Sequence, residues 1–194
     1  MVHFGSLPLV DRSFLSSYKL YMIPLRGADL SLYRIGVISD THFSASGEAL
    51  AFIAELAETH FSEVDLILHA GDIVAPEILQ GFTHCPVLAV RGNMDPATPD
   101  LPVKRVLEVA STRIGLAHGW GSPVDLEMRL LKEFDEVDLD VLVYGHSHRP
   151  VCSYRNGILL FNPGSATDRR QMPYHSIGVL EIGDAVHGEI IRLD

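Results

Sequence analysis

Residues 35–42 read Ile-Gly-Val-Ile-Ser-Asp-Thr-His. A short apolar run with β-branched members ends abruptly at 39, and such a run reads as a buried strand. Asp40 and His42 follow, separated by one spacer, so both can project past the strand end toward one point. A carboxylate oxygen and an imidazole nitrogen, held together on a rigid element, are what a metal ion needs. Alone the pattern is weak, because Asp40 could equally cap a helix. Four further strand-like runs end in residues of the same chemical kind, and they decide the reading.

Working outward, 65–69 runs into Ala70-Gly71-Asp72, and 87–90 into Arg91-Gly92-Asn93-Met94-Asp95. The run 112–117 meets His118-Gly119-Trp120-Gly121, and 141–144 meets Gly145-His146-Ser147-His148. Helical stretches lie between. Over 47–60 Leu50, Ile53, Ala54 and Ala57 share a face, Pro76 opens a short helix to about 82, and 123–134 is charged and amphipathic. A Pro-rich connection, 96–102, leads into strand-like 103–109. This alternation implies βαβ units and a largely parallel sheet. After 150 the character changes. Residues 151–154 and 158–161 flank Arg155-Asn156-Gly157, a tight-hairpin signal, Asn162-Pro163-Gly164-Ser165 is a turn, and 177–182 and 186–192 form a second hairpin. The last quarter is therefore expected to be antiparallel.

The chain has 194 residues, enough for one domain with a sizeable core. With 47% apolar and 21% charged residues, it is neither disordered nor membrane-spanning in composition, and no run reaches the roughly 18 apolar residues of a membrane span. A net charge of −10 disfavours a surface that wraps nucleic acid, while a small phosphate substrate remains compatible if bound cations reverse the local sign. Cys85 and Cys152 fit no CxxC pattern, so reduced thiols in the cytoplasm are expected. Residues 1–33 carry no h-region or cleavage site and no chemistry. They read as a structured extension, a flexible arm, or a segment preceding a true start nearer Met22.

Strand ends thus deliver Asp40, His42, Asp72, Asn93, His118, His146 and His148, beyond the carboxyl edge where α/β sheets place ligands. The set is too large for one ion and suits two sharing a carboxylate, roughly 3.5–4 Å apart, the arrangement used for displacement at phosphorus. Without nearby Cys it does not resemble a structural zinc site. Gly71, Gly92, Gly119 and Gly145 each adjoin a proposed ligand.

The ordered series D-x-H, G-D, G-N, H-G and G-H-x-H resembles the calcineurin-like metallophosphoesterase superfamily. The HAGD and RGN-x-D versions and the NPGS turn are similar to its small bacterial and archaeal phosphodiesterase branch, which the retromer scaffold subunit shares. The resemblance covers residues 34–194 as one metallophosphoesterase domain, with 1–33 as an N-terminal extension. It implies an α/β fold, a two-sheet β-sandwich flanked by helices with mixed parallel and antiparallel strands. It implies one cation on Asp40, His42, Asp72 and His148, and a second on Asp72, Asn93, His118 and His146, with Asp72 bridging. The implied function is a dinuclear-metal-dependent phosphodiesterase, a hydrolase attacking in line with a metal-bridging hydroxide, for which Asp72, Asn93 and His118 carry the catalysis. Manganese is the first metal expected, with Fe, Ni, Co or Zn as alternatives. The expected partner is a small phosphoester, with no membrane and room for a homodimer.

Many family members carry His after the G-N asparagine. Here Met94 stands there, and a thioether delivers no proton to a leaving group. Two alternatives stay open: a phosphomonoesterase or dinucleoside polyphosphate hydrolase, and a non-catalytic metal-binding scaffold. His69 reads as a supporting residue rather than a ligand. Asp95 orients a site group or forms a turn, Arg91 meets substrate phosphate or a surface partner, and Trp120 walls a cleft or joins the core. Specificity is expected in the loops 44–48, 96–102 and 168–174.

Overall fold

The computed structural model describes residues 20–23, 32–44 and 47–194. Residues 1–19 and 24–31, most of the expected extension, lie outside it, as do two positions of the loop 44–48. The run that opened the reading is β2 (Tyr33–Ile38), preceded by β1 (Leu20–Ile23). Then come α1 (Gly47–Thr59), β3 (Leu66–His69), a 3₁₀ turn over Pro76–Gly81, β4 (Val87–Ala89), β5 (Lys104–Val109) and β6 (Thr112–Ala117). The chain closes with α2 (Leu126–Lys132), β7 (Val141–Val143), β8 (Val151–Arg155), β9 (Ile158–Asn162), β10 (Ser176–Ile182) and β11 (Val186–Arg192).

Two sheets result, ordered β11-β10-β2-β3-β4 and β1-β5-β6-β7-β9-β8. The period-2 pattern of each strand explains why they stack. Ile35 and Val37 of β2 and Leu66 and Leu68 of β3 share one buried core with Ile114, Leu116, Val141 and Val143 of the other sheet. Ile67, pointing the opposite way, packs with Ile53, Leu56 and Ala57 of α1. Leu142 does the same with Leu126 and Leu130 of α2. The molecule is the expected α/β sandwich of two mixed sheets with a helix outside each. No helix among the described residues is long and apolar enough to cross a membrane.

The strand pairing departs from expectation in one respect. Antiparallel pairing is not confined to the last quarter, because β5 and β6 form an antiparallel hairpin across Ala110 and Ser111. Ala110 takes the left-handed conformation there (φ 54°), a turn with no Gly or Asn to announce it. Helix α2 starts at Leu126 rather than 123, because Asp125 is left-handed (φ 56°) and cannot continue a right-handed helix backward. The described part of the extension, β1, pairs in parallel with β5, where Arg105 hydrogen-bonds the Tyr21 hydroxyl.

Candidate metal centre

Strands β2, β3 and β4 run parallel, so their carboxyl ends open at one edge of the five-stranded sheet. Parallel β6 and β7 do the same in the other sheet. Asp40, His42, Asp72 and Asn93 therefore arrive from one sheet, and His118, His146 and His148 from the other. Backbone hydrogen bonds hold the loops to each other: Asp40 N–H donates to Gly71 O at 3.0 Å, His42 N–H to Asp72 O at 3.0 Å, and Gly145 N–H to His118 O at 3.1 Å. Asp40, His42, Asp72, His146 and His148 all have positive φ, between 48° and 69°. Non-glycine residues hold that conformation only where their surroundings enforce it, and each costs on the order of 1–3 kcal/mol.

The donor atoms converge. Asp40 Oδ1 lies 3.3 Å from His148 Nε2, 3.9 Å from His118 Nε2 and 4.0 Å from His42 Nε2. Asp72 offers its two oxygens to opposite sides, Oδ1 at 3.3 Å from His118 Nε2 and Oδ2 at 3.8 Å from His42 Nε2. Two donor groups, Asp40-His42-His148 and Asp40-Asp72-His118, each have ligand atoms within 4.8 Å of one another. Asn93 and His146 stand at the rim. The His146 ring is 5.3 Å from that of His118, its Nδ1 meets Asn93 Oδ1 at 2.9 Å, and its Nε2 meets Gly121 O at 2.8 Å.

Asp40 Oδ1 and His118 Nε2 are buried and have no hydrogen-bond partner among the described residues. Close as they are to neighbouring donors, their geometry completes no hydrogen bond. A buried polar atom left so costs about 1–3 kcal/mol. Both lone pairs would be satisfied by a cation between them, and carboxylate oxygen with neutral imidazole is the donor chemistry of divalent transition metals. The residues therefore fit divalent cations. The free cysteines Cys85 and Cys152 belong to neither donor group.

The charges agree with this. Burial opposes ionisation of Asp72, but the His118 imidazole and the Met94 N–H outweigh it and bring its pKa down to about 2. Burial likewise opposes the Asp40 carboxylate, and His148, His118 and the Ser39 hydroxyl more than compensate, lowering its pKa. Against their own burial, His118 and His148 are raised above the ordinary value, by Asp72 with Asp40 and by Asp40 respectively. His69 behaves differently: complete burial drives its pKa down to about 3, so it stays neutral. Its Nδ1 accepts the Gly71 N–H and its Nε2 meets Thr41 Oγ1, both at 3.2 Å, which makes it a brace between two ligand loops.

Other braces carried little signal in the sequence. Ser39 Oγ donates to Asp40 Oδ2 at 2.7 Å, and His146 N–H donates to the same oxygen at 3.0 Å. His148 Nδ1 donates to the Asp168 carbonyl, which aims Nε2 at Asp40. Ser165 Oγ donates to Asp40 O at 2.7 Å, and Asn162 Nδ2 to Gly145 O at 3.0 Å, so the NPGS turn supports the site from beneath. Asp95 joins two loops, accepting Val74 N–H at 2.6 Å and Gly92 N–H at 2.8 Å. Two glycines leave room for the carboxylates. A Cβ on Gly92 would lie 2.8 Å from Asp72 Cγ and closer still to Oδ1. One on Gly145 would lie 2.7 Å from Asp40 Oδ2 and closer still to Ser39 Oγ.

A family model described as the calcineurin-like phosphoesterase superfamily domain matches residues 33–185. A probable metallophosphoesterase of Methanothermobacter thermautotrophicus is 40% identical over 161 residues, covering 81% of this chain and 91% of its own. A phosphodiesterase of Methanocaldococcus jannaschii is 26% identical over 175 residues, covering 81% of this chain and 98% of its own. Among solved structures, an uncharacterized protein of Streptococcus pneumoniae, described as a predicted phosphoesterase, superposes with a TM-score of 0.67. It is 26% identical and covers 84% of this chain and 90% of its own.

Proposed function

The chain belongs to the calcineurin-like phosphoesterase superfamily, and from that premise we propose that it is a phosphodiesterase dependent on two divalent cations. The observation that carries this is the pair of buried, unpartnered atoms, Asp40 Oδ1 and His118 Nε2, at the meeting point of carboxylates and imidazoles. In the proposal Asp40, His42, Asp72 and His148 hold one ion, and Asp72, Asn93, His118 and His146 the other. Manganese is the first candidate. Residues 34–194 form the catalytic unit, and the setting is cytoplasmic.

Two bound cations would lower the pKa of a shared water and offset charge on the non-bridging oxygens of the substrate. The chain's own residues do the rest. His69, Asp95, Ser39 and the NPGS turn hold the ligand loops in their left-handed conformations, so no reorganisation is needed during reaction. The water oxygen bonds to phosphorus as the ester P–O bond breaks, and the departing oxygen must acquire a proton or leave as an anion. Met94 occupies the rim, 58% exposed, and has no proton to give. Esters with good leaving groups are therefore the better substrates, and alkyl esters the poorer.

The test is hydrolysis of bis-p-nitrophenyl phosphate by metal-stripped protein with and without Mn²⁺, beside Asp72→Asn. Metal-dependent release of nitrophenol, lost in the variant, supports the proposal. Silence with Mn²⁺, Ni²⁺, Co²⁺ and Zn²⁺ alike sinks it and moves a metal-binding scaffold ahead.

A further inference from the structure

Beside His118 and Asn93 the surface opens into a cleft of about 320 Å³, walled also by Arg91, Val103, Ala117 and Trp120. That is the low end of small-molecule sites, roughly 300–1,000 Å³, and suits one organic group rather than a polymer. His118 and Asn93 belong to the proposed cation site as well, so a phosphate held there would send one ester group directly into this cleft.

Its walls are specific. Arg91 is fixed at its backbone, where its N–H donates to Pro102 O at 2.9 Å, yet among the described residues its guanidinium meets no hydrogen-bond or ion-pair partner. The neighbouring cation, Lys104, is already paired with Glu133 at 3.1 Å. In a chain of net charge −10, this cleft therefore keeps an uncommitted positive charge. Besides polar Asn93 the lining includes apolar groups left open to water, Trp120 at 46% and Val103 at 55% exposure. Trp120 is not loosely placed. Arg129 of α2 donates to the carbonyls of Trp120 (2.9 Å), Ser122 and Val124 (2.6 Å), and His146 holds Gly121 O. Four hydrogen bonds thus fix a loop whose tryptophan stays about half exposed. An exposed aromatic ring on a fixed loop, beside a free guanidinium, suits a flat π-system attached to an anionic group.

We propose that Arg91 and Trp120 form the specificity subsite for the ester group, and that this group is a nucleoside. The base stacks on Trp120 and Arg91 faces the phosphate oxygens. The proposal rests on the phosphodiesterase reading and narrows its substrate to diesters of nucleotides.

Trp120 is the chain's single tryptophan, so its fluorescence reports on this cleft alone. The experiment titrates the full chain, with Mn²⁺ present, with adenosine 5′-monophosphate, adenosine and inorganic phosphate. Saturable quenching by the nucleotide, tighter than by phosphate or adenosine, is expected. Stacking on an aromatic face is worth roughly tenfold or more in affinity, so calorimetry on Trp120→Ala should show the preference for nucleotide over phosphate falling by at least that factor, while Arg91→Gln should weaken nucleotide and phosphate alike. A nucleotide that binds no more tightly than phosphate overturns the subsite, as does an unchanged preference in Trp120→Ala or unchanged affinity for both probes in Arg91→Gln. Hydrolysis of bis-p-nitrophenyl phosphate separates the two readings. Activity without nucleotide preference removes the subsite alone, whereas nucleotide binding without any hydrolysis removes the catalytic reading and keeps the subsite.

Discussion

Adding one methyl group at Gly92 tests how tightly the Asp72 carboxylate is held. The new Cβ of Gly92→Ala would sit 2.8 Å from Asp72 Cγ and closer still to Asp72 Oδ1 and to its backbone N. Ordinary carbon contacts begin near ~3.5 Å. The Asp72 backbone N is itself among the atoms met, and its main chain is tied down by the carbonyl, which accepts the His42 N–H at 3.0 Å. Both the carboxylate and the Asp72 main chain must therefore shift, breaking the 2.8 Å hydrogen bond from Met94 N–H to the carboxylate. Overpacking costs about 1–3 kcal/mol, and the lost hydrogen bond to a charged group adds about 1.5–3 kcal/mol. The expected loss is roughly 3–6 kcal/mol, read from the urea midpoint and slope. The contrast is Gly47→Ala at the start of α1, where a Cβ meets nothing within 4 Å. The same methyl there should stabilise by about 0.4–1 kcal/mol through the unfolded chain. Calorimetric titration with Mn²⁺ on Gly92→Ala should show affinity reduced by on the order of a hundredfold. If Gly92→Ala unfolds within 0.5 kcal/mol of the parent (roughly the scatter of ordinary surface changes) and binds Mn²⁺ unchanged, the reasoning from close approach is wrong.

Stripping the cations should lower the melting temperature. At a free metal concentration of a hundred times Kd the bound state gains about 2.7 kcal/mol, which for a domain of this size is roughly 5–11 °C. Scanning calorimetry with and without chelator measures it, and coincident curves contradict the cation site. Met94→His should raise turnover of an alkyl phosphodiester and leave bis-p-nitrophenyl phosphate nearly unchanged, since only the poor leaving group needs the proton; equal effects on both would rule out that role for Met94. Tyr144 is buried, donates to Glu127 Oε1 at 2.8 Å, and has its pKa raised by burial and by Glu127. A raised folded-state pKa means full stability below the unfolded value, about pH 10, and a decline as pH climbs above it. Tyr144→Phe should cost about 1 kcal/mol at pH 7 and lose less between pH 9 and 11, by urea unfolding at each pH.

The candidate ligand residues stood out because each is a chemically unusual group at the end of an apolar run, and five such endings are hard to produce by packing alone. Asp72 and Asn93 show this best: each follows a glycine that a buried strand has no packing reason to keep. The two-sheet layering came only with the family resemblance, because strands such as Leu66–His69 and Val141–Val143 are buried on both faces and their sequence does not say which side meets a helix. What stayed hidden depended on pairings across long stretches of chain. Ser165 supports Asp40 from 125 positions away. Asp168 orients His148 mainly through its carbonyl, which every residue possesses. The hairpin at Ala110 was missed because alanine at positive φ is chosen by tertiary pairing, not by local preference. Arg91 and Trp120 were noticed but could not be ranked, since nothing local says that one lacks a partner and the other is clamped from behind.

The donor atoms come from both sheets, Asp40, His42 and Asp72 from one and His118 and His148 from the other. An ion among them would act as a rivet through the seam of the sandwich. Sliding or parting of the layers, however slight, would tear the coordination sphere, so no partial opening of the core could retain the ion. Cation occupancy should therefore suppress only those fluctuations that separate the sheets. In hydrogen exchange, the slowest amides of β2 and β7 should slow together on Mn²⁺ addition, although they lie in different sheets. Amides of the edge strand β11, which is largely open to solvent, should exchange as before.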